Sequence, residues 1–163
     1  MLSTKVSGLL NRNFIQLFLS QGFSHIADAI IQILIIAIII SHTEQAGNLI
    51  ALMLFCFVLP SFIVSPLAGS LVDKFERRKI MSFSSLYRGI ILTIGLIMFF
   101  FLPKEIMTAN APIFSILLSL LIGVGTAFYY PAKMATVPNC VETKVLKPAN
   151  ALISGTGTWA LTF

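Results

Sequence analysis

The sequence predicts an all-α membrane protein with four complete membrane-crossing helices and part of a fifth. Three observations carry that expectation. Apolar residues make up 57% of the 163 and charged residues only 10%, where a soluble domain carries about 25% charged residues. Long apolar runs follow one another with short polar breaks between them. The basic residues gather in those breaks, as they must, because hydrocarbon tolerates almost no charge. A soluble chain of this length would need far more polar surface.

Taken in order, the runs lie at about 14–40, 48–71, 80–102 and 113–130. At 1.5 Å per residue they reach roughly 27–40 Å, enough for a hydrocarbon core of about 30 Å. Lys5 and Arg12 ahead of the first run look like the start of a secretory signal. That run is too long for one, lacks a small-residue cleavage site and is followed by further spans, so it reads as an uncleaved first helix. In the second run Pro60 and Pro66 introduce bends. Ser61, Ser65 and Gly69 recur there at every fourth residue, a face on which another helix can approach closely. Ser119, Gly123 and Ala127 repeat the device in the fourth run, with Gly125 nearby. The stretch 132–148 reads as the longest connection, and Pro148 suits the first turn of the helix after it. The segment 149–163 covers about 22 Å and reads as a fifth helix cut off within the bilayer.

Orientation follows from the Lys/Arg distribution. Lys5, Arg12, Lys74, Arg77, Arg78, Lys79, Lys133, Lys144 and Lys147 fall on one side, against Lys104 alone on the other. The positive-inside rule makes the first side, and with it the N-terminus, cytoplasmic. The densest cluster, 69–79, is expected in a short loop at that face.

The first span is the least comfortable in lipid. Gln21, His25, Asp28 and Gln32 are spaced by four, three and four residues, which puts them on one face of a helix. A carboxylate at the bilayer centre costs about 2.5–3.5 kcal/mol even on the lenient insertion scale. The ridge must therefore look into a bundle or a watered cavity. Two readings stand side by side. The four residues line a solute pathway in which Asp28, its pKa raised by burial and assisted by His25, exchanges a proton; or they bond neighbouring helices and fix packing. Arg88, in the third span, either runs its stem back to the interface or forms an intramembrane ion pair with Asp73 or Glu76. Apart from Arg88 the basic residues sit between spans, without a basic helix interleaved with aromatics, which argues against nucleic acid. Cys56 and Cys140 have no metal or redox spacing. Paired carboxylates, zinc ligand sets and phosphate loops are missing from the pattern, so neither an enzyme nor a cofactor is expected.

One stretch goes further. Gly69-x-x-x-Asp73-Lys74-x-x-Arg77-Arg78, between the second and third helices, resembles the signature loop of the major facilitator superfamily. Glu76 stands where many members have glycine. Gly123-Val-Gly125-Thr-Ala127-Phe-Tyr-Tyr130-Pro131-Ala132-Lys133, with Pro138-Asn139 and Leu146-Lys-Pro-Ala149-Asn150 following, is similar to the macrolide-efflux-like and enterobactin-exporter-like branch. The Tyr-x-Pro-Ala-Lys wording is similar to the lysophospholipid transporters too. The fourth-helix arginine of proton-driven drug exporters would fall near Ser119 and is absent.

The resemblance implies the N-terminal part of a larger helix bundle, whose members have two six-helix halves and rock one against the other around a central site. It implies that Gly69, Asp73, Lys74, Arg77 and Arg78 belong to a cytoplasmic latch, and that Asp28 matches an acidic position of the first helix. The expected function is secondary active, proton-coupled efflux of a small amphipathic, drug-like compound across a bacterial plasma (inner) membrane. The expected partners are the small-molecule substrate, the lipid bilayer, and the missing C-terminal helices or a complementing half. A lysophospholipid transporter is the alternative within the class. A truncated membrane protein acting only through helix–helix contacts is the alternative outside it.

Overall fold

A computed structural model of the chain describes residues 11–43, 46–101, 103–141 and 143–160; the side chains of 65–73, 104, 107–108, 144 and 156–160 are outside that description. The described chain is helical: α1 (Arg12–His42), α2 (Ala46–Lys74), α3 (Arg77–Phe101), α4 (Lys104–Cys140), a 3-10 turn at Thr143–Val145, and α5 (Leu146–Ala160). Among the described residues, four segments are long and apolar enough to cross a membrane: Arg12–His42, Ala46–Val64, Arg77–Phe101 and Ala109–Cys140. Their outer faces carry large apolar side chains such as Phe23, Phe62, Phe83 and Phe100, as expected of surfaces that meet lipid.

The helices divide between two compact units. The first holds residues 12–33 of α1, the last turns of α4, and α5. Asn11 starts α1 as an N-cap: its carbonyl accepts from Phe14 N at 2.9 Å, and its Oδ1 accepts from Asn13 N at 3.3 Å. Its amide also donates to the Cys140 carbonyl at 3.3 Å, tying the head of α1 to the end of α4. Phe14, Leu17 and Gln21 on α1 are buried, as are Val145, Ala149 and Ile153 at four-residue steps into α5.

The second unit holds the end of α1, α2, α3 and α4 as far as Lys133. Close packing here rests on missing side chains. A Cβ placed on Gly123 would lie 2.3 Å from the Phe57 carbonyl oxygen, so α2 and α4 meet backbone to backbone at that point. Ser119 and Ala127, the neighbours of Gly123 on the predicted small-residue face, are buried. On α2, Pro60 is buried and Ser61 half-buried, whereas Ser65 and Gly69 fall outside the described side chains. Three hydroxyls within the spans turn back on their own helices. Ser119 Oγ donates to the Ser115 carbonyl at 2.8 Å, Thr126 Oγ1 to that of Ile122 at 3.1 Å and Thr93 Oγ1 to that of Gly89 at 2.8 Å. They are thereby satisfied without solvent.

Two boundaries differ from the sequence reading. The charged cluster 69–79 is not a loop, because α2 continues to Lys74 and α3 starts at Arg77, leaving Phe75 and Glu76 between them. The fourth helix does not stop near 130. It runs from Lys104 to Cys140, taking in Pro131, Lys133 and Pro138, residues that read as loop signals. Prolines are tolerated where neighbouring elements re-satisfy the freed backbone. The extension is recorded in the burial pattern. Ala111, Ser115, Ser119, Ile122, Thr126, Tyr129, Lys133, Thr136 and Cys140 are all buried, in steps of four or three, so one face of α4 continues without interruption past residue 130.

Candidate functional site

The polar face of α1 lies on a continuous helix, so its four-three-four spacing does place Gln21, His25, Asp28 and Gln32 along one side. Gln21 is fully buried, and the other three are half-buried. Gln21 Nε2 donates to His25 Nε2 at 3.0 Å. An amide NH2 group only donates, so this ring nitrogen is the acceptor of the pair. Gln21 Oε1 is buried with no hydrogen-bond partner among the described residues. A lone buried acceptor costs about 1–3 kcal/mol, and it answers chemically to a hydroxyl, amine or other donor. Asp28 lies seven residues beyond Gln21 on the same face, and Gln32 one turn further on.

At the basic end of α2 and α3, the backbone carbonyl of Glu76 takes the N–H groups of Lys79 (2.9 Å) and Ile80 (3.2 Å), which starts α3. Its carboxylate pairs with Lys79 Nζ at 3.0 Å. Glu76 is therefore the cap of α3, with its negative charge at the favourable end of the helix dipole. Lys74 and Arg78 are exposed and Arg77 is half-buried. Gly69 and Asp73 lie on the helical backbone of α2, their side chains outside the described residues.

Arg88 is only 6% exposed. Its seat is formed by α4. A Cβ on Gly125 would come within 2.5 Å of Arg88 Cγ and 2.9 Å of Tyr87 Cδ1, and the guanidinium carbon lies 6.0 Å from the centre of the Tyr129 ring. Glycine makes the room and the aromatic face receives the charge.

Its place after Pro131 puts Lys133 among the expected loop cations. It is instead 1% exposed within α4, its ammonium 4.3 Å from the centre of the Tyr130 ring. The signal that could have found it is the unbroken face described above, which carries Lys133 in register with Thr126 and Tyr129. No group of three or more His, Cys, Asp or Glu able to hold a metal occurs among the described residues.

The sequence profile of the Major Facilitator Superfamily matches residues 17–163. Macrolide efflux protein A of Streptococcus pyogenes is 30% identical over 136 residues, which is 82% of this chain and 31% of that protein. The uncharacterized MFS-type transporter YjbB of Bacillus subtilis is 28% identical over 152 residues, 90% of this chain and 35% of that protein. The chain thus spans about a third of the length of the curated relatives it matches. No solved structure matches it. With four apolar helices of crossing length and this profile over nearly its whole extent, the chain is a multi-pass membrane protein of the Major Facilitator Superfamily, a family of transporters rather than enzymes.

Proposed function

We propose that this chain forms the N-terminal portion of a secondary active transporter that exports a small amphipathic compound in exchange for protons. The observation that carries the reading is the polar face of α1: Gln21 wholly buried with an acceptor to offer, His25 held against it at 3.0 Å, and Asp28 following on the same side. Hydrocarbon does not accommodate such a face without a task for it. Similarity to macrolide efflux protein A supports export of a drug-like compound. In this reading Asp28 takes and releases the coupling proton, and Gln21 and Gln32 orient the solute. Gly69, Asp73, Lys74, Arg77 and Arg78 form the latch between conformations. The N-terminus and the basic α2–α3 connection face the cytoplasm across a bacterial plasma membrane, and the remaining helices come from the rest of the protein or a complementing half.

Lys133 favours a second substrate class. A buried cation beside an aromatic face suits an anionic amphiphile, which supports the lysophospholipid reading.

The test is efflux by the full-length protein from energised vesicles, with and without an uncoupler, for the native chain and Asp28→Asn. Uncoupler-sensitive export that disappears in Asp28→Asn is expected. Proton-driven export that survives in Asp28→Asn would remove the coupling role.

A further inference from the structure

Beside the seat of Arg88, the first three turns of α3 and the middle of α4 border a furrow of about 580 Å³. That volume is within the range of small-molecule sites, roughly 300–1,000 Å³. Lys79 and Phe83 line it from α3, Val124 and Phe128 from α4 and Phe75 from the α2–α3 connection, while Tyr87 and Gly125 come together where the two helices touch. The walls are almost wholly apolar and the furrow is half open. Phe75 and Phe83 are 60% and 73% exposed, so they are large apolar side chains turned outward, not core.

The furrow has two chemical ends. Its length is aromatic and aliphatic, whereas one end carries Lys79, exposed and directly after Arg77 and Arg78 in the chain. The ion pair of Lys79 with Glu76 has both side chains more than 70% exposed, and a pair in that setting contributes little. Lys79 can therefore turn to another anion at little cost. An occupant must be apolar over the length of the furrow and anionic at the end where the membrane meets water. Basic recesses between helices at this level are a recurring means of holding acidic lipid headgroups.

We propose that the furrow holds one acidic phospholipid of the adjoining leaflet, an acyl chain lying between Phe83 and Phe128 and the headgroup phosphate on Lys79. The proposal rests on the chain being a membrane protein, not on the transport pathway of α1. It therefore survives or fails separately from the efflux reading.

Full-length protein is reconstituted with all tryptophans changed to phenylalanine and a single reporter added by Phe83→Trp, or by Phe128→Trp should the first fail to fold. Quenching by brominated phosphatidylglycerol is compared with quenching by brominated phosphatidylcholine of the same chains. About a five-fold preference for the acidic lipid is expected, on the scale of one basic residue at a membrane surface. It falls to none in Lys79→Gln, and quenching by both lipids weakens when Val124→Phe narrows the furrow. A control reporter at Leu86, exposed on α3 and outside the furrow wall, shows no preference. Equal quenching by the two lipids overturns the proposal. So does a preference that persists in Lys79→Gln or appears equally at Leu86. Absence of quenching by either lipid overturns it as well, because another part of the protein then fills the furrow.

Discussion

The polar groups of α1 and those of α3 are kept inside apolar helices by opposite means. On α1 the amide of Gln21 and the imidazole of His25 hold one another along a single helix, and an acceptor is left over. On α3 Arg88 is held across helices, by the space that Gly125 leaves and the ring of Tyr129. The first arrangement uses exchangeable hydrogen bonds whose donor and acceptor roles can change with a proton. The second uses shape, which admits one position of the side chain. A solute pathway needs the former and a rigid wall needs the latter.

That contrast can be broken at several points. The largest effect is expected at Gly123, where the close approach is to backbone and cannot yield. Gly123→Ala should lower stability by about 2–3 kcal/mol, the upper range for overpacking, read as thermal unfolding in detergent. Gly125→Ala meets flexible side chains instead, so about 1–2 kcal/mol is expected. In a double-mutant cycle the loss should shrink in an Arg88→Ala background, by at least about 0.5 kcal/mol, because the stem is no longer in the way. If the two changes simply add, the seat described for Arg88 is wrong. Gln21→Leu should behave the other way round. It removes a buried group with an unmet acceptor, so stability should change by less than about 1 kcal/mol, while export by the full-length protein falls. A Gln21→Leu variant that loses more than about 2 kcal/mol of stability yet transports normally would reverse the roles assigned to the two regions. Ser119→Ala should be nearly silent, within about 0.5 kcal/mol, since its hydroxyl only bonds back to its own helix.

Much of this architecture is legible from residue spacing alone. The apolar runs mark α1, α2 and α3 to within a few residues, because burial in lipid asks only for length and the absence of charge. The four-residue rhythm of Ser119, Gly123 and Ala127 marks a packing face for the same reason: geometry repeats every turn. What escaped is whatever depends on a partner elsewhere in the chain. Lys133 and the prolines at 131 and 138 read as the start of a connection. Only the fold reveals that α4 carries them onward, with Tyr130 receiving the ammonium. The room for Arg88 is made by a glycine 37 positions away, a relation that no local pattern encodes. The four-residue polar face of α1 was visible, yet that Gln21 rather than Asp28 is its most buried member depends on what surrounds each turn.

The two-residue link between α2 and α3 constrains how such a molecule can move. Three peptide steps separate the Cα atoms of Lys74 and Arg77, so they can never be more than about 11 Å apart. These two rods are yoked at one end, like the arms of a pair of tongs. Any swing that opens the far side must pivot at this link, so the backbone of Phe75 and Glu76 takes up the change.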